Sequence, residues 1–188
     1  MSLRPNPWDI PPQSDRGDVD ENTLFAEIGR ALTEWEQVDT ACAELFAVFV
    51  SVARRSIHHA PAIRAYGTVV SYRARCEMLR AAADAFFHNR KKKRDAFEGR
   101  LRSLINECQA FSDRRNEIVH GHVSVAYDMR RGRARNIGHY LVPSQYNPRK
   151  FKIKTFASYA YTSKEIIHFR QEFTKLHLKI DALRQEIG

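Results

Sequence analysis

Arg115, Asn116 and His120 bring a guanidinium, an amide and an imidazole within two turns of a predicted helix. A guanidinium binds anionic oxygens through its planar fork of donors, and an imidazole gains or loses a proton near neutral pH. Together these residue types are typical of an acid/base site that acts on an anionic substrate.

The helix that must position these residues has a regular apolar face. Its apolar positions follow a 4-3-4-3 spacing, at Phe97, Leu101, Leu104, Cys108 and Phe111. This spacing predicts one face of a helical bundle. The next positions in the same register are Arg115 and Ile118, so that Arg115 is expected in a helix–helix seam or at a subunit interface, where an unpaired charge is costly.

Two structural alternatives remain open for the same residues. Arg115 can form a buried ion pair with an acid such as Asp39 or Glu44. His120 can cap the C-terminal end of its own helix, where a partial negative charge favours imidazolium. Because the positive charge of Arg115 opposes this effect, the sequence does not assign His120 as an acid or as a base.

Composition narrows the class of protein. The 188 residues are 43% hydrophobic and 28% charged, which is typical of one soluble domain. The longest apolar run, residues 45–53, is too short to span a bilayer, and residues 1–20 lack a signal-peptide core. Three widely spaced cysteines are expected as buried free thiols, so the predicted location is cytoplasmic, with no membrane partner.

The net charge of +9 favours an anionic partner, nucleic acid above all, although a basic surface can simply keep a protein soluble.

The pattern along the chain predicts an all-α fold, an antiparallel four-helix bundle with a small β-hairpin-like insertion between helices 3 and 4. A flexible arm over 1–20 precedes one domain over 21–188. The predicted helices are 24–52, 61–88, 95–120 and a last one from about 162, with the insertion at about 122–161. Gly121 is expected to cap the third helix, and Thr162 with Glu165 to form a capping box for the fourth.

Four helices, with Arg115, Asn116 and His120 closing the third, resemble the HEPN domains (higher eukaryotes and prokaryotes nucleotide-binding). These domains are marked by an arginine, a polar residue, three further residues and a histidine. The likeness covers roughly residues 21–188 in helix order, and its specific part is residues 113–121. Many members are metal-independent endoribonucleases with toxin or defence roles, and they commonly pair as two-fold dimers.

This resemblance implies that Arg115, Asn116 and His120 are catalytic and that no metal ion or cofactor is used. The expected reaction is cleavage of single-stranded or structured RNA by its own 2′-hydroxyl, which leaves a 2′,3′-cyclic phosphate and a 5′-hydroxyl. Asn116 and His120 share a helix face, whereas Arg115 and His120 are about 140° apart around the axis. A homodimer relaxes this constraint, because each phosphate can use groups from both chains.

Further residues are predicted to contact RNA. They are Arg130, Arg131, Arg133, Arg135 and His122, with stacking on Tyr127, Tyr140 or Tyr146 as an added possibility. The basic run at 90–94 lies at the other end of the third helix, about 37 Å away, and is expected to be a solvated turn or helix start.

In a toxin subgroup, a tyrosine two residues after the motif histidine accepts a modification from a partner nucleotidyltransferase. Here that position is His122, so silencing of that kind is not expected, and any other neutralising or regulatory protein partner remains open.

Two other functions are compatible with the same residues. The first is a non-catalytic HEPN module that binds a nucleotide or RNA, and the second is a purely structural helical dimer.

Overall fold

The computed structural model describes residues 6–50, 60–128, 134–144, 146 and 157–188, without the side chain of Lys93. Within these residues the chain is mostly helical and has one antiparallel sheet of two strands. The elements in chain order are α1 (Glu21–Val50), α2 (Ala60–Gly67), α3 (Tyr72–Phe87), α4 (Lys91–His120), β1 (Gly121–Asp128), β2 (Arg135–Pro143) and α5 (Ser163–Ile187).

The prediction of a mostly helical chain with a small β insertion before the last helix is confirmed. The second predicted helix, 61–88, is instead two helices, because α2 ends at Gly67 and α3 starts afresh. Ser71 caps α3, and its hydroxyl accepts a 3.4 Å hydrogen bond from the backbone N–H of Ala74. The basic run at 90–94 opens α4 rather than forming a separate turn.

The chain divides into two compact units. Unit 1 comprises Met1–Glu34 and Asp113–Glu172, and unit 2 comprises Trp35–Ser112 and Phe173–Gly188. By these bounds, α1, α4 and α5 each contribute a segment to both units. The residues predicted to do chemistry all belong to unit 1.

Unit 2 has an aromatic core. Trp35 packs against Tyr72 and Phe173, with ring centroids 5.0 and 5.1 Å apart. Cys42, Cys76 and Cys108 are buried free thiols, as the sequence predicted.

The two acids considered as partners of Arg115 have other partners, both within unit 2. Asp39 is hydrogen-bonded to the guanidinium of Arg75, and Glu44 pairs with Arg184 at 3.0 Å. Both acids therefore have arginine partners other than Arg115.

In the core of unit 1, the hairpin is hydrogen-bonded to the segment just before α5. Leu141 and Tyr161, both buried, exchange two backbone hydrogen bonds of 2.8 and 2.9 Å. The predicted capping box opens α5, because the Glu165 carboxylate accepts a 2.7 Å bond from the N–H of Thr162 and another from its hydroxyl.

In its described part, the N-terminal segment is hydrogen-bonded to the hairpin at Gly17 and Asp18. Gly17 donates its N–H to the carbonyl of Ile137 at 2.8 Å, and Asp18 and His139 exchange two backbone bonds of 2.8 and 2.9 Å. The Asp18 carboxylate accepts from the N–H and hydroxyl of Ser163 at 2.7 and 2.6 Å, and so caps α5.

Candidate functional site

The last turns of α4 have a buried side and an exposed side. Glu117 and Ile118 are buried, whereas Asn116 and His120 are exposed and Arg115 is half-buried. The predicted register therefore continues as far as Ile118. Of the three predicted catalytic residues, Asn116 and His120 are exposed to solvent, and Arg115 lies at the edge of the buried face.

Arg115 is only partly satisfied in the described structure. Its Nη1 donates a 3.2 Å hydrogen bond to Oδ1 of Asn116, the next residue. Its Nε is buried and has no hydrogen-bond partner among the described residues. Buried donors are nearly always paired, so this N–H is an exception among the described residues.

His120 is exposed, and neither of its ring nitrogens has a hydrogen-bond partner among residues that the structure describes. In this part of the chain, therefore, no side-chain bond supports the alternative that His120 caps its own helix. His122 is also exposed and lies in β1, opposite Val142 of β2. Both imidazoles are accessible to a substrate from the same end of α4.

A buried polar cluster lies under this exposed side. The carboxylate of Glu117, which is 3% exposed, accepts a 2.6 Å hydrogen bond from the hydroxyl of Tyr161 and pairs with Arg114 at 3.0 Å. The same Arg114 donates to the Tyr161 hydroxyl at 3.3 Å, and the Tyr159 hydroxyl donates to the backbone carbonyl of Glu117 at 3.1 Å. These bonds fix the helix turn that leads to His120.

Both tyrosines of the cluster are held as neutral donors. Burial raises the pKa of Tyr159, and the nearby Glu117 charge raises it further. Burial also raises the pKa of Tyr161, together with its hydrogen bond to Glu117. The ion-pair partner of Glu117 is Arg114, three residues before it in α4. The two tyrosines were missed because they lie more than 40 residues later in the chain.

Gly121 is needed for the junction between α4 and β1. A Cβ on this residue would lie 2.8 Å from Cδ1 of Leu141 and 2.9 Å from the carbonyl oxygen of Glu117. The helix ends at His120, directly before Gly121, where the sequence expected its end. The φ of Gly121 is outside the left-handed region, and the residue begins the strand. The glycine is required by close packing rather than by its backbone angles.

The hairpin carries Arg135 away from the motif. Gly121 pairs with Pro143 at one end of the sheet, and Asp128 pairs with Arg135 at the other. Seven residues at about 3.3 Å each separate these ends by about 23 Å. The RNA contacts predicted at residues 130–135 were expected at the motif end of the third helix. Arg135 is exposed at the far end of the sheet, and Arg130, Arg131 and Arg133 lie outside the described residues.

The three tyrosines considered for base stacking differ in accessibility. Tyr140 is 1% exposed, and its hydroxyl donates to the carbonyl of Ser14 at 3.1 Å, so it belongs to the core of unit 1. Tyr127 and Tyr146 are 57% and 87% exposed, which leaves their rings free to contact a base.

None of the helices in the described ranges is both long and apolar enough to cross a membrane. Over the same ranges, no group of three or more His, Cys, Asp or Glu side chains is arranged to hold a metal ion. Comparison of the chain with models of protein families, with curated protein sequences and with solved structures found no match.

Proposed function

We propose that this chain is a metal-independent endoribonuclease of the HEPN type, with a toxin or defence role. The proposal includes an antiparallel four-helix bundle and a homodimer. Its main support is the end of α4, where the exposed imidazole of His120 has no hydrogen-bond partner among the described residues and the half-buried Arg115 donates to Asn116 beside it. Both groups are suited to a phosphodiester with its adjacent 2′-hydroxyl.

The proposed reaction uses the RNA as its own nucleophile. The 2′-oxygen attacks the adjacent phosphorus, the bond from phosphorus to the 5′-oxygen breaks, and a 2′,3′-cyclic phosphate forms. Arg115 binds the non-bridging oxygens, where negative charge develops, and Asn116 holds its guanidinium. His120 transfers a proton, either from the 2′-hydroxyl or to the departing 5′-oxygen.

The dimer is proposed because Arg115 and His120 lie on different sides of the same helix. Arg115 and His120 are about 140° apart around the axis of α4, and the hydrogen bond of Arg115 goes to Asn116. In a two-fold dimer, Arg115 of one chain and His120 of the other can act on one phosphate. This arrangement meets the geometric requirement without bending the arginine side chain back across the helix.

The second candidate is a non-catalytic RNA-binding module of the same fold. It is favoured by the exposed Arg135 and Tyr127 on the hairpin, a combination of charge and aromatic surface that binds RNA without cleaving it. Such a module would protect RNA rather than shorten it.

Purified protein incubated with RNA in EDTA tests the proposal. Wild type is expected to produce fragments with 5′-hydroxyl ends, and Arg115→Ala or His120→Ala to abolish cleavage without changing the circular dichroism spectrum. Arg73→Ala and His88→Ala are matched controls, because both residues are exposed in unit 2. Intact RNA with the wild-type protein, or cleavage by both site variants at the wild-type rate, would exclude the nuclease.

A further inference from the structure

Within unit 1, an open groove of about 550 Å³ lies between the N-terminal segment and the far end of the hairpin. We call it the arm groove. Its polar lining residues are Asp15, Arg16, Asp128, Arg135 and Asn136. None of residues 115–120 lines the groove.

The backbone around the groove has a specific conformation. Gly138 has φ +112° and approaches Gly17 so closely that a Cβ on Gly138 would lie 2.5 Å from the Gly17 carbonyl carbon. The Gly138 N–H donates to Oδ1 of Asn136 at 2.8 Å. The strand register also shifts between Ala126 and Tyr127, as in a β-bulge. Bulges frequently re-aim side chains next to binding sites, and here the shift lies beside the groove.

The groove lining is charged, and an exposed aromatic residue lies next to it on the hairpin. Arg16 and Arg135 are exposed, and neither guanidinium has an ion-pair partner among the residues described. Tyr127, 57% exposed, precedes Asp128 of the lining and pairs across the sheet with Asn136. Cations that contact a backbone, together with rings on which bases stack, are the usual components of surfaces that bind single-stranded nucleic acid.

The two acids of the lining distinguish between anionic partners. Asp15 and Asp128 repel a simple anion or an acidic peptide, so charge alone does not make this a general anion site. A single RNA strand presents separated phosphates to the arginines. Its base amino groups and 2′-hydroxyls also donate hydrogen bonds, which a carboxylate accepts.

We propose that the arm groove binds single-stranded RNA, with Arg16 and Arg135 on phosphates and Tyr127 stacked on a base. The inference rests on the proposed function in taking RNA as the substrate, and it adds a binding subsite remote from the cleavage residues. The hairpin separates the two by about 23 Å. One strand that reaches both must therefore span about four nucleotides or more, as in small folds that bind single strands.

The test measures fluorescence anisotropy of a labelled 12-nucleotide single-stranded RNA of mixed sequence, in EDTA, with His120→Ala present so that the probe stays intact. Arg16→Gln/Arg135→Gln is expected to weaken binding at least about tenfold, and the slope of log K against log salt should fall by about 1.4 for two lost contacts. Tyr127→Ala should weaken binding at least about fivefold without changing that slope.

Arg64→Gln/Arg73→Gln removes the same charge from exposed arginines of unit 2 and should bind the RNA as the parent does. Arg16→Gln alone, which changes no helix or strand residue, gives the same answer if the double variant fails to fold. Equal affinity and equal salt slope in the groove variants and the parent, or no binding by the parent, would overturn the inference.

Cleavage by the chain with His120 intact separates this inference from the proposed function. RNA binding that depends on the groove, in a protein that never cuts RNA, supports the groove and rejects the nuclease. Cutting of RNA without any dependence of binding on the groove does the reverse.

Discussion

The hydroxyl of Tyr161 donates a 2.6 Å hydrogen bond to the carboxylate of Glu117, and both side chains are buried. The bond joins the residue preceding the cap of α5 to the last turn of α4. Arg114 compensates the carboxylate charge at 3.0 Å, and all three residues belong to unit 1. It therefore acts as a support for the helix end that carries Asn116 and His120.

Removal of the carboxylate should destabilise the protein. Glu117→Ala leaves Arg114 buried without its counter-charge, and the free energy of unfolding should fall by about 3 kcal/mol. Tyr161→Phe, which removes the hydrogen bond to the carboxylate and the weaker one accepted from Arg114, should cost about 1–2 kcal/mol. Urea denaturation followed by circular dichroism measures both. Tyr146→Phe, at a residue 87% exposed, is the control and should change stability by less than about 0.5 kcal/mol.

The same pair shows what sequence does and does not predict. Apolar spacing placed the buried face of α4 correctly as far as Ile118, because helical periodicity is a local property. It did not identify Glu117 as buried, because a carboxylate is buried only where partners neutralise it, and Tyr161 comes 44 residues later. The arm groove was missed for the same reason, since Arg16 meets the β2 end only through the folded chain.

Stability at high pH should depend on Tyr161. Burial and its bond to Glu117 raise the pKa of Tyr161 above its ordinary value of 10.0. The stability it contributes is therefore complete below pH 10, and is lost as the pH rises above 10 toward the raised pKa. The difference in unfolding free energy between wild type and Tyr161→Phe should shrink from pH 8 to pH 11. A constant difference would mean that Tyr161 titrates alike in folded and unfolded protein.

The junction at Gly121 should tolerate no side chain. Gly121→Ala forces a methyl group against Leu141 and the Glu117 carbonyl, at 2.8 and 2.9 Å, and should cost about 1–3 kcal/mol. Gly29→Ala is the matched control in α1, where a Cβ meets nothing within 4 Å, and it should stabilise the helix by up to about 1 kcal/mol. Thermal unfolding of the two variants should therefore shift in opposite directions. Equal shifts would show that the close approach at Gly121 is absent in solution.

The thiols of unit 2 should be unreactive in the folded protein. Cys42, Cys76 and Cys108 are buried, and burial raises the pKa of Cys76 to about 12. Because the thiolate is the nucleophile, alkylation by iodoacetamide at pH 8 should be very slow. Addition of guanidinium chloride should make all three thiols react, as counted by mass spectrometry. Rapid labelling of folded protein would contradict the burial of these side chains.

Mixing two inactive variants tests whether the proposed site is shared between chains. If one chain supplies Arg115 and the other His120, a heterodimer of Arg115→Ala with His120→Ala retains one complete site out of two. With random exchange, half of the dimers are mixed, and RNA cleavage should recover to about a quarter of the wild-type rate. If both groups act from the same chain, no mixed dimer has a complete site, and mixing restores nothing.

The homodimers alone are the control, and size-exclusion chromatography must show that chains have exchanged. Recovery therefore separates a composite site from a self-contained one, a distinction that follows from the five-residue spacing of Arg115 and His120 along α4.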